Sequence, residues 1–366
     1  MATLADAGLT FTTQPHPSPV STEQREDVLA NPGFGTNFSD HMVTIEWTEG
    51  QGWHDAVVGP RQPIALDPAA SVLHYAQEIF EGLKAYKQVD GSIALFRPEA
   101  NAARFNQSAQ RLAMPELPEA LFVEAIERLV KLDSAWIPAA EGASLYLRPF
   151  MIATEAFLGV RPAKQYKFIV IASPAGNYFK SGAPAVSIWV SDYTRAAPGG
   201  TGAAKCGGNY AASLVPQAEA ISRGHDQVVF LDAAEHKWIE ELGGMNLYFV
   251  FEDGTLLTPA LTGTILPGIT RDSLLQLARE EGLKVEEGKY SLDQWREDAT
   301  SGKLVETFAC GTAAVVTSVG KVSGRDGEFV IGSGGPGQLT AKLKNRLVSI
   351  QRGEAADTHG WIRKVS

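Results

Sequence analysis

The stretch Ala196-Ala197-Pro198-Gly199-Gly200-Thr201-Gly202-Ala203-Ala204-Lys205-Cys206-Gly207-Gly208-Asn209-Tyr210 is the pivot of this sequence. Residues 196–202 are small, Gly-rich and interrupted by proline, the composition of a connection and not of a packed element. They read as the join between two domains. The following residues set one lysine among neighbours with almost no side chain. That leaves room for a bulky group to approach the amine. Burial or nearby positive charge would then lower the lysine pKa and make it nucleophilic. The same residues also suit an ordinary exposed lysine in a flexible loop, and the segment alone leaves both readings open.

Working outward, 366 residues are too many for one ordinary core, so two domains are expected. The chain is 44% hydrophobic and 20% charged, which suits a globular protein in water. Its net charge of −10, with both signs mixed along the chain, argues against nucleic acid or an anionic membrane as partner. An anionic ligand must therefore be held by local groups. Two cysteines, Cys206 and Cys310, make neither a disulfide framework nor a metal spacing. The seven histidines are scattered with no pair at ligand spacing, so no metal is expected. No apolar run reaches bilayer length, and the first residues lack a basic-then-apolar signal pattern. A cytoplasmic protein is expected.

Residues 1–35 are polar and proline-containing and read as a tail or loosely docked arm. Runs from Ile93 to Phe96, Ser144 to Thr154, Phe168 to Ala172 and Val186 to Ser191 read as strands. Between them lie two helical patterns. In the second, Phe122, Ala125, Ile126, Leu129 and Val130 share one face after a start at Pro118. The mixture predicts an α+β first domain. Beyond the Gly-rich join, a helix is expected from about Asn209, and strands from Gln227 to Asp232 and Asn246 to Glu252. Helices follow at Thr270 to Glu281 and near Leu339 to Ile350. Pro216 falls inside the helix after Tyr210 and predicts a local kink.

Three more segments can carry chemistry. Glu240-Glu241-Leu242-Gly243-Gly244-Met245-Asn246 places two carboxylates before a Gly-Gly turn and an apolar strand. A pyridine-ring cofactor needs such a carboxylate at its ring nitrogen; solvated loop acids would look the same. Leu266-Pro267-Gly268-Ile269-Thr270-Arg271-Asp272 leads a Pro-Gly turn into a helix, whose N–H groups and dipole could bind phosphate. Ordinary capping by Thr270 or Asp272 is the alternative. Ala309-Cys310-Gly311-Thr312-Ala313-Ala314 is a small-residue turn able to present N–H groups to a carboxylate, or a plain tight turn.

In order and wording, these segments resemble the branched-chain aminotransferases, fold type IV pyridoxal-phosphate enzymes of the D-amino-acid-aminotransferase-like superfamily. The resemblance runs from about Gly33 to near the C-terminus. It includes Leu73-His74-Tyr75-Ala76-Gln77, Phe80-Glu81-Gly82-Leu83-Lys84-Ala85-Tyr86, Leu95-Phe96-Arg97-Pro98 and Ser144-Leu145-Tyr146-Leu147-Arg148-Pro149. Wording such as Asp357-Thr358-His359-Gly360-Trp361 is similar to the actinobacterial branch. The resemblance implies a smaller N-terminal α/β domain, a larger C-terminal domain with a β-barrel-like core, and an active site between them. It divides the chain into an arm (1–35), a small domain (36–190), a connecting loop (191–202) and a cofactor-binding domain (203–366).

The resemblance also implies roles by position. Lys205 matches the Schiff-base lysine and Tyr210 the partner of the cofactor's phenolic oxygen. Glu241, not Glu240, matches the partner of the pyridine nitrogen. Arg104, Ile269, Thr270 and Thr312 match phosphate contacts. Gly311, Thr312 and Ala313 match the binder of the substrate α-carboxylate. Tyr75, Phe80, Tyr146 and Tyr178 match the side-chain pocket, and Arg148 the receiver of the distal carboxylate of glutamate. Phe157 to Val160 match a loop that reaches the partner subunit of a homodimer. Ala314 and Thr317 stand where some relatives carry a Cys-x-x-Cys pair, so no thiol switch is expected there. The implied activity is reversible, ping-pong amino transfer between leucine, isoleucine or valine and 2-oxoglutarate. An apolar pocket with one arginine at its edge would serve both kinds of substrate.

Overall fold

A computed structural model describes residues 9–140, 142–176 and 184–365. The chain forms two compact units of nearly equal length, Met1–Tyr178 with Thr358–Ser366, and Phe179–Asp357.

In the first unit the strands are β1 (Thr12–Thr13), β2 (His41–Thr48), β3 (Gly52–Pro60), β4 (Glu78–Phe80), β5 (Leu83–Lys87), β6 (Ile93–Phe96), β7 (Ser144–Ala153) and β8 (Gln165–Ala175). They form one sheet in the order β1-β3-β2-β8-β7-β5-β6, with β4 paired to β7 and the C-terminal strand Ile362–Val365 paired to β6. The helices are α1 (Thr22–Ala30), α2 (Ser71–Tyr75), α3 (Pro98–Arg111) and α4 (Glu119–Leu132). The expected apolar stripe of α4 is buried, from Phe122 to Val130, and the helix begins just after Pro118. Phe105 of α3, Phe122 of α4 and Phe168 of β8 meet with ring centroids 5.3–5.7 Å apart and form the centre of this core.

Of the two readings of the N-terminal segment, tail or docked arm, the described residues from 9 onward show a docked arm. β1 adds to β3 in parallel, and the His16 and Val20 N–H groups donate to the His41 and Asp40 side chains. Ser21 and Gln24 make a reciprocal capping box at the start of α1. Backbone and cap hydrogen bonds, to which hydrophobic pattern is blind, hold this segment.

In the second unit the strands are β9 (Ala185–Val190), β10 (Gln227–Leu231), β11 (Ile239–Leu242), β12 (Asn246–Phe251), β13 (Thr255–Pro259), β14 (Lys284–Gly288), β15 (Leu304–Gly311), β16 (Val315–Gly324) and β17 (Gly327–Val330). The sheet runs β11-β10-β9-β16-β15-β12, and β11 pairs back to β12, which closes six strands into a barrel. Val229, Leu247, Phe249 and Val319 of these strands are almost fully buried in one apolar cluster. The helices are α5 (Gly207–Ala211), α6 (Leu214–Ser222), α7 (Ile269–Glu280), α8 (Leu292–Ser301) and α9 (Gln338–Arg352).

Three boundaries moved. β9 pairs with β16 and β10, so it belongs to the second unit although it precedes the Gly-rich loop. The C-terminal strand belongs to the first unit. The helix expected from Asn209 is two helices, α5 and α6, and Pro216 lies in the first turn of α6. A first-turn N–H has no intrahelical acceptor, so proline is accommodated there, after the break between the two helices. No helix among the described residues is long and apolar enough to cross a membrane.

Candidate active site

The four chemical motifs all fall in the second unit, and contacts there bring them together. Lys205 is partly buried, and its Nζ donates to the Tyr210 hydroxyl at 2.5 Å. Asn209 is buried and bonds Thr201 and the Ala204 carbonyl, which fixes the loop that carries the lysine. The Tyr210 ring lies against Gly244: a Cβ there would stand 3.9 Å from its Cε1. A Cβ on Gly311 would meet Met245 Cγ at 3.3 Å and the Gly244 carbonyl at 3.5 Å. Asn246 Nδ2 donates to the Leu266 carbonyl, and a Cβ on Gly268 would come within 2.0 Å of Asn246 Oδ1. Glycine at 268, and to a lesser degree at 311, thus permits the close approach of separate segments.

Strand alternation separates the two adjacent carboxylates. Glu240 and Glu241 are consecutive on β11, so they face opposite sides of it. Glu240 accepts from the Thr264 hydroxyl at 2.5 Å. Glu241 is 2% exposed and pairs with Arg195 Nη1 at 2.7 Å, and the Leu266 N–H donates to it at 3.3 Å. Burial pushes the Glu241 carboxyl up to about 7, against the lowering effects of Arg195, the Leu266 N–H, and Lys205.

α7 begins at Ile269 with Gly268 as a cap residue that has no side-chain hydrogen bond. The positive end of the helix dipole lies at this turn, and Gly268 supplies no side-chain cap to it. Thr312 lies in the turn between β15 and β16. Val315, where that turn enters β16, has a φ of 60°. The left-handed region is costly for a β-branched residue, by about 1–3 kcal/mol, and such strain concentrates at ligand-binding turns. Cys310, just before the turn, is buried, and its thiol is pushed up to about 12 by desolvation, so it is a poor nucleophile at neutral pH.

These groups fit a phosphorylated pyridine aldehyde. They supply a primary amine with a phenol beside it, a buried carboxylate backed by a cation, and a helix start without a side-chain cap. Among the described residues no three His, Cys, Asp or Glu side chains are grouped to hold a metal ion.

The first unit carries a second set. Tyr146 and Arg148 alternate onto the same face of β7, while Leu145 and Leu147 point into the core. Arg148 Nη2 donates to the Tyr146 hydroxyl at 3.0 Å, and its guanidinium lies 4.7 Å from the Phe80 ring centroid. Its buried Nε has no acceptor among the described residues. Glu78 is the carboxyl that feels the Arg148 charge, yet burial raises the Glu78 pKa more than Arg148 lowers it. A Cβ on Gly82 would stand 2.2 Å from the Tyr146 hydroxyl, so a larger residue there must displace the tyrosine ring. Tyr75 is held by a different contact, its hydroxyl donating to the Leu158 carbonyl. Tyr178 lies outside the described residues. Arg104 is buried on α3, and its Nε and Nη2 each bond Glu81 at 2.7 Å; Asn101 completes the carboxylate's shell.

Sequence reasoning missed Arg195, Thr264, Glu81 as the partner of Arg104, and Phe34, whose ring packs edge-on against Tyr146. Arg195 stands ten residues before Lys205, immediately ahead of Ala196-Ala197-Pro198. A lone arginine beside the join was visible, but nothing local ties it to Glu241.

Residues 78–322 match the family described as amino-transferase class IV, and the chain belongs to that family. It is 58% identical over 363 residues to the branched-chain-amino-acid aminotransferase of Mycolicibacterium smegmatis, which spans 98% of this chain and 99% of that protein. It is 59% identical over 359 residues to a probable branched-chain-amino-acid aminotransferase of Streptomyces coelicolor, with 98% and 99% coverage. Among solved structures, the branched-chain amino acid aminotransferase of Escherichia coli matches with a TM-score of 0.74 at 29% identity, over 88% of this chain and 99% of that one. The branched-chain amino acid aminotransferase from Thermobaculum terrenum, in its PLP-form (holo-form), matches with a TM-score of 0.70 at 25% identity, over 88% and 98%. The fold is that of the fold type IV aminotransferases.

Proposed function

We infer that the chain is a branched-chain amino acid aminotransferase that uses pyridoxal 5'-phosphate. It exchanges the amino group between L-leucine, L-isoleucine or L-valine and 2-oxoglutarate. The observation that carries the reading is the Lys205–Tyr210 pair, held in one barrel domain with the buried, cation-backed Glu241. The nearly full-length likeness to the M. smegmatis enzyme supports the substrate class.

When bound, the cofactor supplies an electron-withdrawing ring that stabilises negative charge at the amino acid Cα. Lys205 is its covalent anchor and, once released, the base that takes the Cα proton. Tyr210, at 2.5 Å, orients that amine and meets the phenolic oxygen. Glu241 holds the ring-nitrogen proton. Ile269 and Thr270 at the start of α7, Thr312 and Arg104 are assigned to the phosphate. Gly311, Thr312 and Ala313 receive the α-carboxylate. Phe80, Tyr146, Tyr75 and Tyr178 are assigned to the aliphatic side chain, and Arg148 to the distal carboxylate of glutamate.

Turnover of L-leucine with 2-oxoglutarate, with parallel double-reciprocal lines, is the expected result. Activity confined to D-alanine or aminodeoxychorismate would contradict it. We also propose a homodimer, supported by the exposed Leu158 and Val160 on the loop assigned to a partner subunit. Light scattering that gives a monomer would contradict that. The two buried, unpaired cysteines support a reducing, cytoplasmic location.

A further inference from the structure

We propose that Arg195 is a positioning residue that fixes the shared proton on the cofactor's ring nitrogen by keeping Glu241 ionised. This rests on the reading that Glu241 partners that nitrogen.

Arg195 and the Leu266 N–H both contact Glu241 Oε1. The arginine is itself anchored. Its Nη1 also donates to the Thr264 carbonyl at 3.3 Å, and it is 7% exposed. Gly202, three residues before Lys205, packs on that same backbone: a Cβ there would stand 2.5 Å from the Thr264 oxygen. The lysine loop and the carboxylate's cation therefore share one anchor point. Glu240 is no competitor for the direct contact, because β11 turns it to the other face, where it bonds the Thr264 hydroxyl.

A carboxyl and a pyridine that share one proton leave it on the stronger base. Desolvation makes a buried carboxylate a strong base. With the proton on Glu241 the ring would be neutral and a weak electron sink. A guanidinium at 2.7 Å in the same dry site stabilises the carboxylate form and returns the proton to the nitrogen. Arg195 touches neither substrate nor reacting atoms in this scheme. It acts through Glu241.

The test loads wild type, Arg195→Gln, Arg195→Met, Arg195→Lys and Glu241→Gln with pyridoxal phosphate labelled with 15N in the ring. Thermal melts and cofactor stoichiometry are measured alongside. Wild type and Arg195→Lys should give a protonated-ring 15N shift; Arg195→Gln, Arg195→Met and Glu241→Gln should move it toward the unprotonated position. In Arg195→Gln, kcat for L-leucine should fall at least about tenfold, the population change that one unit in the carboxylate's pKa produces. The Met variant answers the question should the Gln variant not fold. A wild-type shift in the Gln or Met variant, with a displaced shift in Glu241→Gln, overturns the role of Arg195 and leaves that of Glu241 standing. A wild-type shift in Glu241→Gln overturns the Glu241 reading itself.

Discussion

Replacing Arg148 with methionine should separate the two substrate classes. The guanidinium donates to the Tyr146 hydroxyl at 3.0 Å and lies over Phe80. Among the described residues its Nε has no acceptor, so the group has capacity for a carboxylate. A hydrogen bond between charged groups contributes about 1.5–3 kcal/mol. Losing one or two to the distal carboxylate of glutamate should cost about 3 kcal/mol, or about 150-fold in kcat/KM. Leucine offers no such carboxylate. Methionine keeps an apolar stem of similar length, and the lost cation–π contact is worth only about 0.5–1 kcal/mol. Leucine should therefore change by no more than about fivefold. The assay is single-turnover absorbance for each amino acid separately, so that the second half-reaction does not mix the two effects. Equal losses for leucine and glutamate would refute the reasoning, as would an unchanged rate with glutamate.

Glu81→Ala should leave Arg104 buried without its carboxylate and lower stability by about 3–5 kcal/mol in chemical denaturation, the cost of breaking a buried pair. A loss below about 1 kcal/mol would show the pair to be dispensable. Gly82→Ala should raise KM for L-leucine by displacing Tyr146, and Tyr146→Phe in the same chain should restore it, since the clash is with the hydroxyl; no recovery would place the strain elsewhere. Cofactor-stripped protein should lose stability as pH rises. Glu241 titrates near 7 in the folded chain and near 4.5 when unfolded, so the folded state holds the extra proton between those values. The loss should run from about pH 4.5 to 7 and then level off. The melting temperature of Glu241→Gln relative to wild type should accordingly rise over that window; a flat difference would contradict the titration.

Much of this was legible in sequence because the signals were local. A short apolar run marked Ile93 to Phe96, and Arg97-Pro98 ended it. Pro267-Gly268 announced the start of α7. The apolar spacing from Phe122 to Val130 predicted a buried face. What was illegible is long-range. Barrel closure rests on a single Glu241–Asn246 pairing across a Gly-Gly turn. Arg195 meets Glu241, and Glu81 meets Arg104, across tens of residues with no periodic cue. Backbone hydrogen bonds, not apolar content, dock residues 12–31. Pro216 was misplaced because helix propensity does not show that the chain breaks and restarts at Ser213. The choice of Glu241 over Glu240, made by motif frame, has a structural counterpart: alternation on β11 gives the two carboxylates different partners.

The central claim is that Lys205 carries the cofactor. Borohydride reduction of the purified, cofactor-loaded protein, followed by peptide mass spectrometry, tests it most directly. The account predicts a phosphopyridoxyl group on the peptide containing Lys205 and on no other lysine. Modification at another lysine, or a protein that takes up no cofactor at all, would contradict it.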